Sequence, residues 1–388
     1  MRFPMIQAIY QKEMLDMFRD RRTMISMLVV PIVVLPLVFA LMVRFTSRVE
    51  ENAETEARTL GIAARVTTPS VREALEKAGY PIREKESLRT AVEKKEVSAA
   101  VEERKGVIEI YVDSSNPTSS AAGDKIRIAL SDLKDQTIRE SLRTSGIPES
   151  VLTPFIVKRT NIAGERKMAG AIWGTMLGYI LLLLMFTGGM YPAIDMTAGE
   201  KERHTLEPLL ASPASREEIV LGKIFASTTA SFLTALLTIA SLLVAIQRLG
   251  MGQNGEELEK LVSRAAPGPG AMALILLTLL PTALFAASIM IAIALFARSF
   301  KEAQSLLTPV IMAVVVPAVV GMLPGLELNV GLALIPVFNV SQLIKEIIIG
   351  EYSPINFATA FASNIFYALV AFWISVRIFK TESVLFRS

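Results

Sequence analysis

The 388-residue chain has no cysteine and a single histidine, His204. Without cysteine there is no disulfide framework, no thiolate metal site and no cysteine nucleophile. One histidine leaves no His-based triad and no multi-histidine metal site within one chain. Charge is also scarce: 20% of residues are charged against 52% apolar, and the net charge is only +3. So small an excess gives no reason to expect nucleic acid or an acidic partner. No phosphate-cradling loop occurs. The one Gly-Lys pair, Gly222-Lys223, is followed by Ile224 where Ser or Thr is needed, and Glu217 stands where the first glycine should be. Gly-x-Ser-x-Gly and His-Glu-x-x-His are absent, which removes the esterase and metalloprotease readings. The sequence therefore predicts a protein that is not an enzyme, with no catalytic residue, metal or cofactor of its own.

What the chain does have is long runs without charge, at residues 24–43, 168–194, 224–246, 271–297, 303–326 and 356–376. A 20-residue helix is about 30 Å long, the thickness of a bilayer's hydrocarbon core. Six transmembrane helices are expected. The first run is not a cleavable signal, because 23 residues precede it and Arg44-Phe45-Thr46-Ser47-Arg48 offers no small-residue cleavage site. Orientation follows from Lys and Arg. Residues 1–23, 195–223, 298–302 and 377–388 carry 14 of them, whereas the opposite short loops, 247–270 and 327–355, carry 4. The positive-inside rule places both termini in the cytoplasm. No ionisable residue sits mid-span, which disfavours an ion-coupled carrier.

Residues 44–167 hold 22 basic and 20 acidic side chains and fall on the outer side. Their pattern is that of a small α/β domain, inserted after the first span. Strands are expected at Thr59–Val66, Ser98–Glu103 and Val107–Val112. Helices are expected at Pro69–Ala78, at Ser87–Lys95 with Ser87 as N-cap, and at Thr118–Thr144. The domain offers neither a metal-ligand cluster nor a nucleophile, so binding or docking is expected of it.

Two cytoplasmic stretches are informative. Met5–Arg22 is amphipathic, with Ile6, Ile9, Tyr10, Met14, Met17 and Phe18 on one face and Lys12, Asp16, Arg19 and Asp20 largely off it. In 195–223, Thr197 with Glu200 and Ser215 with Glu218 match capping boxes. The reading is a short helix, a break near Ser212-Pro213, and a second helix entering the third span. Leu206, Leu209 and Leu210 would form an apolar knob facing away from Glu200–Arg203, requiring lipid or a protein partner.

The run Gly199-Glu200-Lys201-Glu202-Arg203-x-Thr205-Leu206-Glu207-x-Leu209-Leu210-x-Ser212-Pro213 resembles the loop of ABC type-2 permeases. So do Arg216-x-Glu218-Ile219-Val220-Leu221-Gly222-Lys223, the opening Lys12-Glu13-x-x-Asp16-x-x-Arg19-Asp20-Arg21-Arg22, and the Asp113-Ser114-Ser115-Asn116-Pro117 stretch. The likeness covers essentially the whole chain and is nearest to the NatB-like, sodium-efflux-type branch. His204 stands where that pattern has a smaller residue, often glycine.

The resemblance implies a fold like that of type V ABC exporters: a polytopic α-helical membrane protein with six spans and an extracytoplasmic α/β domain after the first. It implies a cytoplasmic ABC ATPase as partner, with ATP and Mg held there, and a second permease copy in a homodimer or heterodimer. In the family, a coupling helix in the loop after the second span sits in a groove of the ATPase. Carried onto this chain, its residues are Glu200, Lys201, Glu202, Arg203, Thr205, Leu206, Leu209 and Leu210, and residues 1–23 become the connecting helix. Gly170, Gly174 and Gly178 lie four apart on the second span, suited to close packing within or between protomers. Since the resemblance implies that the second and fifth spans line the path between protomers, these glycines, with Pro309 and Pro317, are read as helix-packing or translocation-path residues. Pro309, Pro317 and Pro324 favour kinks in the fifth span. Leu328–Val337 and Ser341–Ile349 read as re-entrant helices, with Lys345 and Glu346 as an outward-facing pair. Gln304, Asn339, Gln342 and Asn364 are the conspicuous amides, as packing bonds or as ligand contacts. Na+, drugs, peptides and lipids all remain open as substrates. The alternative is a membrane-anchored sensor or interaction protein using its extracytoplasmic domain.

Overall fold

A computed structural model describes residues 2–85, 87–104, 106–146, 148, 165–249, 267–321, 323, 326 and 328–381. The expected loop at 247–270, Pro324 and most of the tail 377–388 fall largely or wholly outside these residues. In chain order the elements are α1 (Phe3–Arg19), α2 (Leu35–Leu60), β1 (Ile62–Arg65), α3 (Pro69–Lys77), β2 (Ile82–Arg83), α4 (Leu88–Glu93), β3 (Ala99–Arg104), β4 (Val107–Tyr111) and α5 (Pro117–Thr144). There follow α6 (Glu165–Ile194), α7 (Leu206–Leu210), α8 (Arg216–Leu249), α9 (Pro269–Ala294), α10 (Phe300–Val320), α11 (Phe338–Ile349) and α12 (Pro354–Lys380). The chain divides into two compact units, Met1–Ala40 with Asn161–Ser388, and Leu41–Thr160.

The first unit is helical. Among the described residues, five stretches are long and apolar enough to cross a bilayer: Gly174–Glu202, Arg216–Ala245, Pro269–Ala294, Phe300–Pro317 and Pro354–Lys380. The first expected span appears as a shorter apolar stretch, Ile25–Leu41. Its Ile25–Val34 part is wound as a π-helix, with Pro31 inside and the Leu35 N–H reaching the Val30 carbonyl. A proline ring removes a donor and crowds the preceding turn, which a wider turn accommodates. Leu181, Met185 and Phe186 of α6, Ile219 and Ile224 of α8, Ala283 and Met290 of α9, and Leu343 and Ile347 of α11 share one buried core. The α10 helix is the least enclosed of the five spans. It runs unbroken through Pro309 and Pro317, with Met312, Val316 and Val319 exposed.

Of the two expected re-entrant helices only the second forms, as α11. The first is a single 3-10 turn at Leu332–Leu334. Irregular backbone within an apolar unit needs partners for its polar groups, and neighbouring side chains supply them. Gln342 Nε2 donates to the Gly321 carbonyl and Asn339 Nδ2 to the Ala333 carbonyl, both at 2.8 Å. Ser363 Oγ donates to the Leu334 carbonyl at 3.1 Å. Lys345 Nζ donates to the Leu326 carbonyl and the Leu328 N–H to Glu346 Oε1, both at 3.2 Å. Lys345 and Glu346, both half-buried, thus hold the segment's backbone instead of standing exposed as a pair.

The second unit carries a four-stranded sheet in the order β2-β1-β3-β4, with β1 parallel to β2 and β3 and a β3–β4 antiparallel hairpin. One face packs Ile62 and Val101 against Val71 and Leu75 of α3 and Ala122 and Ile126 of α5. The other packs Ala63 and Ala100 against Leu88, Ala91 and Val92 of α4. The first strand is shorter than expected, since α2 continues through Thr59 and Leu60 and ends at Gly61, whose φ of +70° closes the helix. Ser87 makes no cap bond to the backbone. Asp113-Ser114-Ser115-Asn116-Pro117 is a turn and cap. Asp113 Oδ1 accepts from the Ser115 N–H at 3.0 Å, and Asn116 Oδ1 from the Thr118 N–H at 2.9 Å.

Candidate functional site

The site forms where α1, residues 195–223 and the turn between α9 and α10 come together. Helix α1 turns Ile9, Glu13 and Met17 inward, at four-residue steps on one face. Ile9 lies against α8 at Gly222, where an added Cβ would stand 2.6 Å from its Cγ2. Tyr10 shares a hydrogen bond with Thr229 at 3.2 Å. This buried face differs from the expected one: Phe18 is exposed and Glu13 is enclosed.

Glu200 reaches the same place through a fault in helix winding. Residues Asp195–Gly199 form a π-turn after α6, and Thr197 Oγ1 donates back to the Ala193 carbonyl at 2.6 Å. Thr197 therefore caps nothing, and the expected capping box with Glu200 does not exist. A single wide turn shifts the rotational phase of every residue after it, and Glu200 points inward. The second expected box does form. The Glu218 N–H donates to Ser215 Oγ at 3.3 Å and the Ser215 N–H to Glu218 Oε2 at 2.9 Å. The Arg2 backbone N–H also donates to Glu218 Oε1, at 2.6 Å.

At the centre lies Lys223, fully buried, with its ammonium 2.7 Å from Glu13 Oε1 and 2.7 Å from Glu200 Oε2. Lys12 completes the cluster, 2.5 Å from Glu200 Oε1 and 3.1 Å from Glu13 Oε1. Burial works against the Lys12 charge, but the Glu13 and Glu200 carboxylates outweigh it and hold its pKa above the usual range. Two ammonium groups and two carboxylates balance. Removing one partner of a buried pair leaves an uncompensated charge and costs about 3–5 kcal/mol. The cluster thus locks α1, the end of the α6 stretch and the first turns of α8 together.

The remaining expected site residues separate by direction. Lys201 Nζ donates to the Leu295 carbonyl, and Glu202 Oε2 accepts from the Phe300 N–H at 2.7 Å. Arg203 pairs with Asp195 at 2.7 Å. His204 has φ +56°. The Thr205 N–H donates to the Glu200 carbonyl and the His204 N–H to the Lys201 carbonyl, at 2.9 and 3.1 Å. This is a Schellman closure, whose left-handed position explains why the pattern favours glycine at 204. Leu206 is buried in the main core, with Leu209 and Leu210 packed half-buried against it. The expected apolar knob therefore turns inward, and the exposed ridge consists of His204, Thr205, Glu207 and Pro208. Gly174 and Gly178 pack within the chain, on α11, where added Cβ atoms would stand 3.0 Å from Lys345 Cα and 2.8 Å from the Ser341 carbonyl oxygen. Of Gly170, only its place in α6 is described. Pro309 is exposed and Pro317 half-buried.

A family profile described as ABC-2 family transporter protein matches residues 21–377. The chain belongs to the ABC-2 transporter family. It is 27% identical to the ABC transporter permease protein NatB of Bacillus subtilis (strain 168), over 90% of this chain and 91% of that protein. No solved structure matches it. Membership makes the chain a multi-pass, non-enzymatic permease subunit, and the family implies a partner ATPase. Lys12, Glu13, Gly222 and Lys223 belong to the stretches that carried the family resemblance, but the sequence assigned them no role. For Lys12, Glu13 and Lys223 the signal was charge at the edge of an apolar run, which looks the same whether a side chain faces water or a buried partner.

Proposed function

We propose that this ABC-2 permease is the membrane subunit of an exporter with six transmembrane helices. Both termini and residues 195–223 lie in the cytoplasm, and the α/β unit lies outside. Two copies, or this chain and a second permease, enclose the path. A separate ATPase, holding ATP and Mg, drives export of Na+, a drug, a peptide or a lipid. The observation that supports the reading is the double character of residues 199–208: Glu200 is locked from within by Lys223 and Lys12, while His204, Thr205, Glu207 and Pro208 stand exposed. An exposed ridge on a rigid mount receives a push without deforming, and so biases an equilibrium between inward- and outward-open states.

The test is co-purification with the ATPase. Glu207→Arg combined with Pro208→Asp should weaken ATPase binding about tenfold or more, while the permease stays monodisperse. An ATPase retained at full stoichiometry would overturn the ridge as the contact. A wild-type chain that brings down no ATPase would favour the sensor reading instead.

A further inference from the structure

Lys201 and Glu202 are adjacent, yet they grip opposite ends of two different helices. The Lys201 ammonium donates to the Leu295 carbonyl and, at 3.4 Å, to the Ala297 carbonyl, just past the end of α9. These are terminal carbonyls, at the negative end of the helix dipole. Glu202 accepts from the N–H of Phe300, the first residue of α10, at the positive end of that helix. The turn has its own N-cap as well: Ser299 Oγ accepts from the Glu302 N–H at 3.3 Å, and Glu302 Oε2 from the Arg298 N–H at 2.7 Å. Glu202 is therefore an additional, external hold on α10. A second contact points the same way, because the Phe300 ring stacks on Tyr191 of α6 with centroids 6.2 Å apart.

We infer that Lys201 and Glu202 are positioning residues that carry the displacement of residues 195–223 to the α9–α10 turn, so that α10 is the span that moves. Each charge matches the helix end it touches, so the dipeptide holds the turn by two opposed ends and cannot slide along one of them. Helix α10 suits the role. It is the least enclosed span, and Pro309 and Pro317 have each removed one of its backbone hydrogen bonds. The first turns of α8 are tied by Lys223 to Glu200 of the same loop and by Gly222 to Ile9 of α1, so they travel with residues 195–223. The inference rests on the exporter reading above and reassigns Lys201 and Glu202 from ATPase contact to the join between residues 195–223 and the α9–α10 turn.

The absence of native cysteine allows spin labels at chosen sites. In the permease–ATPase complex, one pair would join exposed Ala211 to Lys301, and a second would join exposed Leu369 of α12, which lies outside the locked cluster, to Lys301. On trapping with ATP and vanadate, the first distance should stay constant and the second should change by about 2 Å. In Lys201→Met combined with Glu202→Gln, the second change should vanish, with the ATPase still bound at wild-type stoichiometry. Lys201→Arg with Glu202→Asp should restore it. An unchanged wild-type Leu369–Lys301 distance, or a change that survives in the double variant, overturns the inference. Loss of the ATPase from the double variant overturns it too, by making the two residues contacts. A wild-type permease that binds no ATPase fails the exporter reading itself, before any distance is measured.

Discussion

The two units handle charge in opposite ways. In the α/β unit four of the described pairs lie along exposed helix surfaces at four-residue steps: Arg58–Glu54, Arg72–Glu76, Lys77–Glu73 and Arg89–Glu93. Exposed pairs of this kind contribute at most about 1 kcal/mol each. Residues 44–167 hold 42 of the 77 charges in the chain, yet their work there is mainly to keep a surface in water. The helical unit has far fewer, and it encloses Glu13, Glu200 and Lys223 almost completely. Where charge is sparse and buried, each group must have a specific partner, and the partner sets which helices move together. Charge density is therefore a poor guide to where electrostatics shapes the fold.

The largest expected effect tests that contrast directly. Lys223→Ala leaves Glu13 and Glu200 facing each other across a buried gap with only Lys12 to neutralise them, and should cost about 3–5 kcal/mol. Lys77→Ala, on the surface of the α/β unit, should change stability by about 0.5 kcal/mol or less. Thermal unfolding of the two variants in detergent compares them. Equal melting temperatures would remove the distinction between the units.

Much of the architecture was legible in sequence. Runs without charge located the helices of the membrane unit, and turn chemistry located α3, β3, β4 and α5 to within a residue or two. The errors at the site share one cause, which is that direction around a helix axis is invisible where winding departs from 3.6 residues per turn. The π-turn at Asp195–Gly199 carried Glu200 inward and made Thr197 a back-bonding residue instead of a cap. The reversal at His204 then sent Leu206 into the core. On α1, the apolar periodicity finds Ile9 and Met17, but a buried carboxylate on the same inward face has no signal, because its partner Lys223 lies 210 residues away.

A smaller effect, expected in both units, asks whether local backbone geometry is treated alike. His204 and Lys95 both have φ +56° and both close a helix, Lys95 after α4 with its N–H on the Val92 carbonyl and the Glu96 N–H on the Ala91 carbonyl. A side chain in this left-handed region costs about 1–2 kcal/mol, partly offset by the added freedom that glycine gives the unfolded chain. His204→Gly and Lys95→Gly should each stabilise the protein by about 0.5–1 kcal/mol, read as a raised melting temperature. Stabilisation at 95 with destabilisation at 204 would mean that the histidine side chain makes a compensating contact in the helical unit.

The smallest effect sharpens the comparison from the α/β side, through Glu103. Its Oε1 accepts from the Thr68 hydroxyl, and its Oε2 from the Thr68 and Thr67 N–H groups at 3.0 and 2.8 Å, at the start of α3. The Thr68 hydroxyl and these backbone donors hold its pKa down at about 2. An unfolded glutamate titrates near 4.3, so below that value the unfolded chain takes up the proton first. The stabilisation is therefore complete above about pH 4.3 and lost as pH falls toward 2. Glu103→Gln has no charge to lose, so its deficit against the wild type should shrink as pH is lowered from 5 to 3. Melting of the full-length protein at the two pH values gives that difference, and titration of all the other carboxylates cancels between the two proteins. A deficit equal at both values would show that Glu103 serves as a neutral acceptor only.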